Sequence, residues 1–219
     1  MKMLIDSIRI KQLVSATTIL LVFAACNSQS DKQTNIKTGV GGPCEGCEAI
    51  FEYGDKVLST IDTLPAFSEN EPKLKITGTI FERDGKTPAK DVIVYIYHTN
   101  REGIYEQKGN ETGWGTRHGF IRGWIKTDLD GKYTFYTFRP ASYPNRDEPE
   151  HIHMTVKEPT RNEYYISDIV FDDDPLLTAD KRNSLRDRCG SGLVKLKVEN
   201  NILTAQRDII LGKNIPNYQ

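Results

Sequence analysis

The 219-residue chain carries 29 Lys and Arg against 30 Asp and Glu, a net charge of -1, with the two signs interspersed along its length. That balance leaves no basic face to follow a phosphate backbone and excludes nucleic acid as a partner. No apolar run reaches the roughly 20 residues that a membrane-spanning helix needs.

At the N-terminus, Lys2, Arg9 and Lys11 precede an apolar run from Leu13 to Ala25. This pattern predicts a secretory signal over residues 1–25 that is removed on export. Val22-Phe23-Ala24-Ala25 before Cys26 resembles a bacterial lipobox. A lipid on Cys26 is therefore expected, making the chain a membrane-anchored envelope lipoprotein that faces the periplasm or the cell surface. The alternative is an ordinary signal peptide that leaves a free cysteine. Residues 26–48 read as a tether, because Asn27 to Gly42 has almost no apolar side chains to bury. Residues 49–219 read as one domain. Of Cys44, Cys47 and Cys189, at most one pair can form. An isolated CxxC without a second one favours a structural disulfide over a zinc or redox motif, and the sequence leaves its pairing open.

Within the domain, short β-branched and aromatic runs separated by turn residues predict a mostly β fold, an antiparallel β-sandwich with long loops and at most one or two short helices. Leu74 to Phe81 alternates. Asp91 to Tyr97 is nearly continuously apolar, as in a central strand, and Asp84-Gly85 marks the turn between the two. Phe120 to Thr127 and Lys132 to Phe138 flank Asp128-Leu129-Asp130-Gly131, which predicts a hairpin. Leu193 to Val198 and Ile202 to Leu211 predict a second hairpin across Glu199-Asn200-Asn201. Helix is expected only over Ala179 to Arg188. Long loops remain at Glu102 to Gly119 and Pro140 to Glu150, and loops of that length are often functional.

His151-Ile152-His153-Met154-Thr155-Val156 is the first chemical signal. On a strand, Ile152, Met154 and Val156 share one face and the two histidines the other, with their Cα atoms roughly 6.5 to 7 Å apart. Both rings can then reach one metal ion. Half-exposed histidines on a sandwich are ordinary, so the pair alone is weak evidence.

The surrounding motif is more specific. Arg122-Gly123-Trp124-Ile125-Lys126-Thr127-Asp128-Leu129-Asp130-Gly131-Lys132-Tyr133 is followed by Pro140-Ala141-Ser142-Tyr143-Pro144 and then by His151-Ile152-His153. Upstream stands Tyr97-His98-Thr99-Asn100 with Gly103-Ile104-Tyr105. Over about Leu74 to Asp174 this order resembles the intradiol ring-cleavage dioxygenases of the catechol and protocatechuate dioxygenase type. The resemblance implies iron(III) held by Tyr105, Tyr143, His151 and His153, with Tyr143 leaving when a catechol binds. It further implies O2-dependent cleavage between the two hydroxylated carbons to a muconate-type diacid, in aromatic compound catabolism, and self-association into homo-oligomers. Phenolate oxygens and imidazole nitrogens suit a hard trivalent ion.

The chain departs from the pattern at two positions. The arginine that the family places three residues before the first histidine is Glu148 here, and Arg146 takes its role by proximity. Asp168 stands near a position that is often Gln. With Glu148 and Glu150, Asp168 predicts an acidic approach that disfavours carboxylated catechols. Two other readings are a zinc or copper site on the same histidines and a non-catalytic, prealbumin-like binding module anchored at the envelope, its dioxygenase activity lost.

Overall fold

The computed structural model describes residues 39–219. The predicted signal, Cys26 and the tether up to residue 38 lie outside the described residues. The chain is packed from Val40 onward: its amide donates to Asn162 Oδ1 (2.9 Å) and that of Gly41 to the Pro216 carbonyl (2.8 Å). Cys44 and Cys47 are joined in a disulfide, Cys189 is free and buried, and a 3-10 helix follows at Cys47–Phe51. Segment 40–48, assigned to the tether on composition, thus belongs to the folded unit. Composition measures the surface that side chains can bury, whereas this strap is fixed by backbone hydrogen bonds and the disulfide.

Two six-stranded sheets face each other. The first holds β1 (Ile61–Thr63), β5 (Lys132–Phe138), β2 (Lys73–Phe81), β11 (Ile202–Gln206) and β10 (Leu196–Glu199) in that order, with β12 (Ile209–Ile210) also on β2. The second runs β4 (Arg122–Lys126), β3 (Ile93–Tyr97), β6 (His151–Lys157), β8 (Ile169–Phe171) and β9 (Leu193–Val194), with β7 (Tyr164–Tyr165) on β6. Both sheets are mixed: β1 with β5, β2 with β11 and β12, and β8 with β9 are parallel. Among the described residues the α-helices are α1 (Gly115–His118) and α2 (Ala179–Ser184), the latter capped by Thr178. Among the described residues no helix is long and apolar enough to cross a membrane.

The core follows from strand alternation. Leu74, Ile76 and Phe135 of the first sheet meet Val94, Ile96, Ile152, Met154 and Val156 of the second, all at most 1% exposed. Strand β3 is apolar on both faces because Tyr95 is covered in turn by Ala49, Ile50 and Trp124. The N-terminal strap therefore lies on the outer face of the second sheet.

The Asp130-Gly131 turn does not close a hairpin. Gly131 has φ +65° as predicted, but β4 pairs with β3 and β5 with β2, so the turn carries the chain from one sheet to the other. Thr127 is already bonded to the 89–92 segment through the Val92 and Ala89 carbonyls, and the Gly131 carbonyl accepts from Ile80 (2.8 Å), which delivers β5 to a longer partner. The second hairpin does form: Glu199 faces Ile202, with Asn200 and Asn201 at φ 51° and 63°, the conformation a two-residue primed turn requires.

Just after β3, His98 is buried, bonded through Nδ1 to the Thr99 carbonyl and through Nε2 to Thr137 Oγ1, both at 2.7 Å. Burial pushes its pKa down to about 4, against the opposing Thr99 hydrogen bond. The folded state thus keeps His98 neutral where the unfolded chain protonates it. Stability is complete above about pH 6.5 and falls as pH drops toward 4, by on the order of 3 kcal/mol. Urea unfolding across that range should show this slope in the wild type and a shallower one in His98→Gln. Equal slopes would assign the pH dependence to other groups.

Candidate metal centre

The outer face of the second sheet carries the site. β3 and β6 place Tyr97 opposite His153, and β6 and β8 place His151 opposite Val170. Alternation turns both histidines outward, away from Ile152 and Met154. Tyr105 and Tyr143 come from the two long loops, so all four predicted ligands are brought together. Tyr105 Oη lies 2.8 Å from His153 Nε2 and touches Tyr143 Oη. Tyr143 Oη stands 3.2 Å from His151 Nε2 and 3.4 Å from His153 Nε2, and the two Nε2 atoms are 3.2 Å apart.

The ring tautomers follow from their outer partners. His151 Nδ1 donates to the Pro149 carbonyl (2.7 Å) and His153 Nδ1 to Asp168 Oδ1 (3.2 Å). Each acceptor has no proton to give, so both Nε2 lone pairs face inward, the arrangement that metal-ligating histidines adopt. Burial, then the contact with Tyr143, pushes the Tyr105 phenol far above its usual range. Burial also raises Tyr143, against the hydrogen bond from Tyr105. His151 is lowered by burial and by its neighbour His153. Burial favours the neutral form of Asp168, but His153, His151 and the buried Arg207 together hold its carboxyl below the ordinary range.

Two lone pairs facing each other at 3.2 Å, beside two phenols that burial keeps protonated, form a set of oxygen and nitrogen donors that a hard cation would satisfy. Among the described residues no three His, Cys, Asp or Glu side chains could hold a metal ion. The two phenols are needed to complete a ligand set, which fits iron(III) better than zinc or copper.

Arg146 lines the cleft beside the cluster, exposed, with its guanidinium carbon 5.7 Å from the Tyr143 ring centroid. It forms no ion pair among the described residues, because Asp147 is engaged by Lys181 (3.1 Å). The acidic approach expected from sequence is smaller than it looked. Glu150 is bound by Arg139 (2.5 Å), and Asp168 serves His153, leaving Glu148 as the free carboxylate of the three.

Arg139 clasps the loop that carries Tyr143 and Arg146 at its two ends, bonding Glu150 just before His151 and Asp173 (2.9 Å) beyond β8. Both members of the Arg139–Glu150 pair are half-buried. Arg139→Gln is expected to lower stability by roughly 1.5–3 kcal/mol and iron affinity by on the order of tenfold, measured by urea unfolding and iron titration. An unchanged iron affinity would show that Tyr143 is held without the clasp.

Sequence reasoning missed the support behind His153. Tyr97 stacks on it at 4.6 Å between centroids, His118 stacks on Tyr97 at 3.8 Å, and Trp114 lies 5.4 Å beyond His118. His118 also meets Tyr95 Oη at 2.9 Å. The signal available was Tyr95 and Tyr97 alternating onto the outer face of β3. Loop 102–119, which supplies Trp114 and His118, carried none.

The Dioxygenase_C family model, described as a dioxygenase, matches residues 55–202. The protocatechuate 3,4-dioxygenase beta chain of Burkholderia cepacia is 29% identical over 140 residues, 58% of this chain and 59% of that one. Catechol 1,2-dioxygenase 1 of Acinetobacter lwoffii is 32% identical over 120 residues, 52% of this chain and 35% of that one. The chain thus spans little more than half of the first relative's length and about a third of the second's. The dioxygenase domain of a carbohydrate-binding protein fusion from Streptomyces sp. SirexAA-E superposes with TM-score 0.53 at 22% identity, over 72% of this chain and 90% of that one. Catechol 1,2-dioxygenase from Acinetobacter sp. ADP1 gives 0.54 at 22%, over 69% and 56%. These structural likenesses establish the fold.

Proposed function

This chain belongs to the intradiol ring-cleavage dioxygenase family, and from that membership we propose that it is a non-haem iron(III) enzyme that opens a catechol-type ring between its two hydroxylated carbons with O2, giving a muconate-type diacid. The observation that carries this reading is the convergence of Tyr105, Tyr143, His151 and His153 with both Nε2 lone pairs turned inward. Iron(III), when bound, supplies the electron-withdrawing centre that makes a catecholate ring reactive toward dioxygen.

The chain's own residues have separable roles. Tyr105, His151 and His153 hold the ion, while Pro149 and Asp168 fix the two imidazoles in the ligating tautomer. Tyr143, on the loop side of the cluster and a phenolate only when it holds the ion, would give way to the incoming diol and take one of its two protons at Oη, the other passing to solvent. Arg146, beside the Tyr143 ring, offsets negative charge on the bound diol. The apolar wall at Val170 and Leu177 keeps water from the ring.

The run before Cys26 supports export and a lipid anchor on that cysteine. Radiolabelled palmitate should enter the wild type and be lost in Cys26→Ser. The activity is tested by iron content and oxygen uptake of the purified protein on catechol, hydroxyquinol and protocatechuate. Protein that stays iron-free when made with iron available, or iron-loaded protein that consumes no oxygen with any diol, would sink the reading.

A further inference from the structure

The cleft in front of the four donors has a volume of about 820 Å³. That is near the upper end of the roughly 300–1,000 Å³ that holds a drug-sized ligand, and far more than one bare diol ring occupies. All four donors line it. Val170 is the cross-strand partner of His151, so it shares the outer face and begins an apolar wall directly beside the diol position. Leu177, in the segment after β8, and Leu185, at the end of α2, continue that wall. Leu185 is 37% exposed, an apolar side chain left open to solvent beside the site.

The wall does not end in a closed box. A second cavity of about 300 Å³ shares Asp168, Val170, Ser184 and Leu185 with the first and continues toward Arg186. Arg146, Glu148 and Lys181 also line the cleft. The cleft thus joins an apolar surface formed by Val170, Leu177 and Leu185 to charged groups from loop 146–148 and α2.

We propose that the cleft takes a catechol bearing an extended apolar arm, a hydrocarbon chain or second ring on the carbons away from the hydroxyls, with the arm lying along Val170, Leu177 and Leu185. The proposal rests on the catechol-cleaving reading of the same site. Leu185 is then a specificity-determining residue: it touches the arm and leaves the diol to the four donors. The area that the arm removes from water, rather than any new polar contact, drives the preference, at on the order of fourfold in affinity per buried methylene.

The test compares catechol with 4-hexylcatechol by calorimetry on the iron-loaded protein without oxygen, in the wild type and in Leu185→Asp, with oxygen uptake measured separately. 4-Hexylcatechol should bind at least about tenfold tighter than catechol to the wild type, and Leu185→Asp should shrink that ratio several-fold. Equal affinities, binding of neither diol, or a preference that Leu185→Asp leaves intact would overturn the proposal. So would a change in oligomeric state in Leu185→Asp that accounts for the loss, since a second copy would then cover Leu185. A clear binding preference with no oxygen uptake on either diol would leave the cleft assignment standing and remove the dioxygenase reading instead.

Discussion

Tyr105→Phe is expected to weaken and shift the visible tyrosinate-to-iron charge-transfer absorption of the wild type, leaving the Tyr143 contribution alone, which an added catechol then removes. Turnover should fall by more than the roughly 100-fold that losing an outer-shell partner costs. The substitution removes one oxygen and little else. The ring keeps its place 5.6 Å from Tyr97 and 5.8 Å from Tyr143, so packing is retained while the contacts to Tyr143 Oη and His153 Nε2 vanish. Absorption spectra and iron analysis, taken alongside an unfolding curve, separate lost ligation from lost fold. If the spectrum is unchanged, Tyr105 is not a ligand and any phenolate beside Tyr143 comes from another tyrosine, Tyr97, stacked on His153 at 4.6 Å, being a candidate.

Gly103→Ala should damage the same centre without touching a ligand. Gly103 stands two residues before Tyr105 at φ +77°, and a Cβ there would overlap the Ser142 carbonyl oxygen and come within 3.0 Å of Pro144 Cδ. Ser142 and Pro144 flank Tyr143. Because the obstacle is backbone, no side-chain rotation relieves it, and the two loops that bring the phenols together must separate. Iron affinity is expected to fall by on the order of 100-fold, comparable with the larger outer-shell losses. Both residues lie outside the strands, so urea unfolding should remain cooperative with a loss of roughly 1–3 kcal/mol from local strain. Wild-type iron affinity in this variant would mean that the loops re-form their contact elsewhere.

The parts of the molecule that obey a local rule were readable from sequence. The two-residue period of His151 to Val156 gave the outward histidines and the inward Ile152, Met154 and Val156, and Asn200-Asn201 gave its own turn. Pairing was not readable. Asp130-Gly131 specifies a backbone conformation, and nothing in those residues says whether the strands on either side will bond to each other or to β3 and β2. The same gap hid the His118–Tyr97–His153 stack, which depends on the register of Tyr97 against His153 and on a loop with no periodic signal. It also made Glu150 look like a free charge facing the site. Its partner Arg139 is 11 residues away across the loop, a relation that only the closed loop reveals.

That closure uncouples loop length from ligand geometry. With Arg139 and Glu150 fastened at its base, the stretch from Asn145 to Glu148 can lengthen or shorten while Pro149 and His151 keep their places. The added closure entropy rises only as the logarithm of length, about 0.6 kcal/mol per doubling. The position and number of side chains overhanging the cleft become adjustable at nearly constant iron affinity. Loop exchange between Asn145 and Glu148 is thus a route to new substrate ranges on an unchanged metal centre.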